Sequence, residues 1–96
     1  MSQTVVLPDL LNDGPSTQGR WMLVIFNNDT TGFDEVILAL IEGTGCDIQE
    51  AAIEAWEAHT YGEAPVHFGT ESVCVQAAEP LARIGVRTDV RPEWPD

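Results

Sequence analysis

Lysine is absent from this 96-residue chain, and only four arginines, Arg20, Arg83, Arg87 and Arg91, stand against sixteen Asp and Glu residues, for a formal net charge of −12. Nucleic acid is thereby excluded as a partner, because phosphate binding rests on clustered positive charge. Solubility or adaptation to salt accounts for the acidity. Cysteine is scarce as well: Cys46 and Cys74 are too few for a disulfide framework, and both are expected as buried free thiols. Cys46, His59, His67 and Cys74 follow no zinc-ligand spacing, so neither a metal nor any other cofactor is expected. Long apolar runs are also missing. Trp21 to Phe26 falls far short of a membrane span, and the N-terminus has neither the basic start nor the apolar stretch of a secretory leader. The expectation is a cytoplasmic protein that meets no membrane.

What is present suffices for one small domain, since 44% of the residues are hydrophobic. Residues 1 to 19 mix Pro8, Gly14, Pro15 and Gly19 with polar residues and read as a flexible tail, leaving 20 to 96 as the domain. Arg20 to Phe26 is rich in strand formers and ends in a polar cluster, which predicts a first strand. Phe33, Val36, Ile37, Leu40 and Ile41 recur at helical spacing, with Thr31 and Asp34 as a capping-box-like start and Gly43 as the stop. Asp47 and Glu50 open a second helix, which Gly62 ends after Tyr61; Ile48, Ala52, Ala55, Trp56 and His59 fall close together on it.

Ala64 to Phe68 then predicts a second strand, and Gly69-Thr70 opens a third helix through Val73, Ala77 and Leu81. Pro80 deletes one helical hydrogen bond, so this helix is expected to kink or to end early. Past Gly85, Val86, Thr88 and Val90 alternate with Arg87, Asp89 and Arg91, the pattern of a strand with one wet face. The order is βααβαβ, an α+β domain.

The stretch FNNDTTGFDEV, residues 26 to 36, sets two amides, a carboxylate and two threonines between the first strand and the first helix. Short polar side chains commonly bond their own backbone in such places, so a turn and cap account for Asn28, Asp29 and Thr31 taken alone. His59, near the end of the second helix, changes the reading. In this element order the turn can approach that helix end, so that an amide oxygen, a carboxylate and an imidazole converge beside an apolar hollow.

At this point VIFNNDTTGFDEVI, followed by EAAIEAWEAHTYGEA, resembles the ClpS adaptor family, whose members show a strand ending in Asn-Asp-Asp, then a residue and Thr-Pro, and later a helix ending His-x-x-Gly-x-Ala. From Asn27 to Ala64 the two motifs align without a gap. The resemblance implies a three-stranded antiparallel sheet packed against three helices. It also implies a non-enzymatic adaptor that binds the destabilising first residue of N-degron substrates and delivers them to a Clp unfoldase and protease. By the same resemblance Asn27, Asp29 and His59 hold the α-amino group, and Asn28 and Thr31 meet the peptide backbone. Phe33, Val36, Leu38, Ala55, Ala58 and, from the last strand, Val86 line the side-chain pocket. The implied partners are peptides starting with Phe, Tyr, Trp or Leu and the N-domain of a ClpA- or ClpC-like unfoldase.

The chemistry agrees. An ammonium has three donors and no acceptor, so an amide oxygen, a carboxylate and the lone pair of a neutral imidazole suit it. The chain departs from the family pattern at the middle Asp, which is Asn28, at the usual proline, which is Gly32, and at a rim methionine, which is Phe33; a looser turn is expected. Ala55 and Ala58 stand where larger apolar residues are usual. The unfoldase-docking glutamate and lysine fall near Ser72 and Ala77, so both charges are missing, although Glu71 is close. Two rivals follow. One is an enzyme with Asp29 and His59 as acid-base pair and Thr30, Thr31 or Cys74 as nucleophile, for which no phosphate loop or nucleophile elbow is present. The other is a peptide-binding protein of the same fold that no longer docks to the unfoldase.

Overall fold

In the computed structural model, which describes residues 20–94, an unbroken apolar strand organises the molecule. The expected tail over 1–19 lies outside the described residues, as do 95 and 96. Strand β1 (Trp21–Phe26) is central, with β2 (Glu63–Gly69) on one side and β3 (Thr88–Pro92) on the other, both antiparallel to it. A central strand favours apolar residues, and Leu23, Val24 and Ile25 are all buried. β2 lies at an edge, which tolerates the missing N–H of Pro65. Its register shifts where Leu23 pairs with His67 and Val24 with Pro65.

Three helices, α1 (Phe33–Thr44), α2 (Ile48–Tyr61) and α3 (Glu71–Arg83), pack against the sheet face that carries Leu23 and Ile25. The core joins those two residues to Leu40 of α1, Ala51 and Ala55 of α2, and Cys74 and Leu81 of α3. This is the expected α+β βααβαβ architecture with its three-stranded antiparallel sheet.

Local chemistry sets most of the ends. The Asp47 side chain accepts from the Glu50 N–H at 2.8 Å and starts α2; the Thr70 hydroxyl accepts from the Val73 N–H at 3.2 Å and starts α3. Gly62 adopts φ 94° and ends α2 in the left-handed conformation that glycine reaches without strain. Other ends differ from the sequence reading. The N-cap of α1 is Gly32, one residue past Thr31, and the Glu35 carboxylate reaches back to the Gly32 N–H at 3.1 Å. Thr31 is drawn elsewhere, as shown below. The stop of α1 is Gly45, at φ 76°, and Gly43 lies inside the helix. A Cβ on Gly43 would overlap the carbonyl oxygen of Ala77, so that glycine lets α1 and α3 approach closely.

α3 does not end at Pro80 but runs on to Arg83, with the proline itself buried. Its buried side falls on Cys74 and Ala77, while Val73 is exposed. In α2 the alanines 51, 55 and 58 form the buried stripe, and Ile48 and Trp56 stand in solvent. Of the two cysteines, both free, Cys74 is buried and Cys46 half-buried. No helix among the described residues is long and apolar enough to cross a membrane.

Candidate functional site

The end of β1 is fixed to the end of α2 by one backbone bond: the Asn27 N–H donates to the Gly62 carbonyl at 2.9 Å. Because Gly62 caps the helix whose last turn carries His59, this bond brings the polar turn alongside the imidazole. The convergence expected from the element order is therefore built by a strand end meeting a helix cap.

Beyond Asn27 the turn is held from within and from across the fold. Asn28 Oδ1 accepts from both the N–H and the hydroxyl of Thr30, each at 2.7 Å, and Asn28 Nδ2 donates to the Gly85 carbonyl at 2.7 Å. The Thr31 hydroxyl donates to the Ile84 carbonyl at 3.1 Å. The α3–β3 connection thus grips the turn at two points, and the looseness expected from Gly32 in place of proline is countered there. An aspartate at position 28 has no proton to give Gly85, so the amide at this position has a structural reason. The side chain of Asn28 is engaged in these bonds. Thr31 keeps its hydroxyl lone pairs for a further donor.

These anchors enclose a cavity of about 240 Å³. One wall is apolar strand and loop, from Ile25, Phe26 and Val86; the others come from Phe33 and Val36 of α1 and Ala55 and Ala58 of α2. Asn27, Asn28, Asp29, Thr31 and His59 gather as its polar part. Ala55 and Ala58 are buried, whereas Asn27, Asp29 and His59 are exposed. Among the described residues, those three side chains form no hydrogen bond with one another or with a neighbour. Asp29 is the only carboxylate in the lining, and no arginine joins it, so the site favours a cation.

Every residue that the family resemblance assigned to the site lines this cavity except Leu38. That position is corrected: Leu38 is 66% exposed, because two residues on from Val36 lie about 200° further round a helix. Ile25 and Phe26 were missed. Their signal was position alone, as the last apolar residues before Asn27.

The lining sets apolar walls beside one carboxylate, and the nucleophile candidates named from the sequence stand as follows. Cys74 and Thr30 do not line the cavity, and burial pushes the Cys74 thiol up from its ordinary value, away from the reactive thiolate. Asp29 and His59 are not hydrogen-bonded to each other. The Thr31 hydroxyl proton is committed to Ile84. Among the described residues no three His, Cys, Asp or Glu side chains stand together as a metal site requires. At about 240 Å³ the cavity lies below the roughly 300 to 1,000 Å³ of typical small-molecule sites, a size for one side chain and not for a dinucleotide.

Comparison with known proteins adds two findings. A family model described as ATP-dependent Clp protease adaptor protein ClpS matches residues 16–88. Among solved structures, that of Agrobacterium tumefaciens ClpS2 bound to L-phenylalaninamide is similar, with a TM-score of 0.68 over 79% of this chain and 99% of that one. Sequence identity between the two is 18%, so the likeness speaks for the fold. No curated protein matches this chain significantly.

Proposed function

The chain belongs to the ClpS family of ATP-dependent Clp protease adaptors, and from that premise we propose that it binds the free α-amino group and large hydrophobic first side chain of N-degron substrates and hands them to a Clp unfoldase. The family is one of adaptors, and the proposed act is recognition without chemistry on the substrate. One observation carries the reading: Asn27, Asp29 and His59 stand on the polar side of the same cavity whose other walls are apolar.

In this reading the amide oxygen of Asn27, the carboxylate of Asp29 and the neutral imidazole of His59 each accept one N–H of the ammonium. Charge-assisted bonds contribute about 1.5 to 3 kcal/mol each, and burial of a large apolar side chain about 1.5 to 3 more. Ordering the peptide offsets much of this, which leaves an affinity on the order of micromolar. The small side chains of Ala55 and Ala58 leave depth for Phe, Tyr, Trp or Leu, while Phe33 at the rim hinders first residues branched at Cβ. Phenylalaninamide, the ligand of the Agrobacterium protein, combines the same two groups, a primary amine and a benzyl side chain.

The test is titration with a Phe-initiated peptide, free and acetylated at its amine. The free peptide is expected to bind and the acetylated one not. Asp29→Ala or His59→Ala is expected to weaken the free peptide at least about tenfold, with circular dichroism unchanged. Equal binding of both peptides, or unchanged affinity in both variants, would remove the amine clamp.

A second reading, a peptide binder that no longer docks to a ClpA- or ClpC-like unfoldase, is favoured by α3. Ser72 is exposed but uncharged, and Ala77 is buried against Gly43, so neither offers a docking charge. A pull-down with the N-domain of such an unfoldase separates the two. Capture supports delivery, and no capture alongside intact peptide binding supports the second reading.

A further inference from the structure

Three of the four arginines are occupied. Arg20 pairs with Glu93 at 3.2 Å, Arg83 with Glu42 at 3.7 Å, and Arg91 with Asp89 at 2.9 Å and with Glu63 at 3.9 Å. Arg87 has no carboxylate partner among the described residues, in a chain whose formal charge is −12. Its guanidinium instead lies over the Phe26 ring, 4.2 Å from the ring centre. Phe26 lines the cavity and directly precedes Asn27; Val86, the residue before Arg87, lines it too. The Arg87 carbonyl accepts from the Phe26 N–H at 3.0 Å, so backbone and side chain are both held against the end of β1. A guanidinium stacked on a ring uses its face for the ring and keeps its in-plane N–H groups free. Arg87 is thus an exposed donor fork, already restrained against a residue that lines the cavity.

Resting on the amine-clamp reading of the cavity, we propose that Arg87 is a specificity-determining residue that takes a carboxylate side chain at the second or third position of the bound peptide. A peptide whose amine and first side chain fill the cavity must leave across its rim, advancing about 3.3 to 3.6 Å per residue. That step brings the second or third side chain into the reach of a long arginine. A planar carboxylate matches the fork with two parallel hydrogen bonds, which an amide cannot do. The rest of the acidic surface repels such a peptide, but at physiological salt charges farther than about 8 Å are largely screened, so the contact at Arg87 decides locally.

The experiment compares Phe-Asp and Phe-Asn peptides, and Phe-Gly-Asp and Phe-Gly-Asn peptides, on the parent, Arg87→Gln and Arg87→Lys in 0.15 M salt. The asparagine peptides cancel general effects of substituting Arg87, and the ratio of Asp to Asn affinities isolates the contact. In at least one of the two positions this ratio is expected to fall about fivefold on Arg87→Gln, and by less on Arg87→Lys, which keeps the charge without the fork. A ratio unchanged in Arg87→Gln at both positions overturns the assignment. Failure of the parent to prefer free over acetylated Phe peptides would overturn the amine clamp itself, and this inference with it.

Discussion

Asn28 shows how much one amide proton can decide. Its Nδ2 gives the turn a bond to Gly85 that a carboxylate cannot make, while its Oδ1 serves Thr30 as an aspartate would. Asn28→Asp, the change toward the residue the family motif usually carries, would set a charge against the Gly85 carbonyl. It is expected to cost about 1 to 3 kcal/mol of stability and to weaken a Phe-initiated peptide several-fold, checked by urea unfolding and by titration. Equal stability of the variant would show that the bond to Gly85 contributes nothing. That Asn27, Asp29 and His59 line one cavity was legible through the family resemblance, because a polar cluster after a strand and a histidine near the next helix end fall at the family's spacing. The partner of Asn28 was not legible, since Gly85 is 57 residues away and no local rule connects them. Leu38 was misplaced for a related reason: the family alignment named the position, but helix geometry turns it to solvent.

Helix boundaries divide along the same line between local and distant causes. Asp47, Thr70 and Gly62 act on backbone groups within a turn, and each was readable from neighbouring residues. Gly43 was read as a stop because glycine commonly ends helices, yet its cause is Ala77, on another helix. This sets two effects against each other in a Gly43→Ala variant. In an isolated helix the change stabilises by about 0.8 to 1.0 kcal/mol, whereas overpacking a tight interface destabilises by about 1 to 3. Because the obstacle is backbone and not the tip of a flexible side chain, overpacking is expected to win, with a net loss of up to about 2 kcal/mol. The urea midpoint of the variant checks it; a rise in midpoint would show that α1 and α3 separate without cost.

For the molecule as a whole the excess of carboxylates makes stability a function of pH, and Glu54 is the clearest case. One of its oxygens, Oε1, is covered and has no hydrogen-bond partner among the described residues. Burial first, and then the neighbouring charges of Glu50 and Glu57, raise its pKa from 4.5 to about 7. The folded chain therefore holds this proton more tightly than the unfolded chain. Its contribution is fully present below pH 4.5, falls as pH rises toward about 7 and is flat above that. Glu54 remains half-buried, so solvent screening reduces the effect to on the order of 1 kcal/mol. Glu54→Gln is expected to be more stable than the parent by about that amount at pH 8, with the gap closing toward pH 4.5, followed by urea unfolding across the range. A gap independent of pH would mean that the charge of Glu54 is not the cause. Such long-range properties leave little trace in local sequence pattern. The βααβαβ order was legible because every element has its own period and punctuation, but which carboxylate is covered depends on how the elements stack. The bond from Asn27 to Gly62 has a further meaning at this scale. The two residues lie at opposite ends of a segment that contains both α1 and α2, so the cavity exists only after that segment has closed on itself. A chain with α2 detached still carries every lining residue in its sequence and has no cavity. Whatever occupies the cavity then binds the native state alone and acts as a thermodynamic lock on it, worth about 2.7 kcal/mol at a hundredfold excess over its dissociation constant.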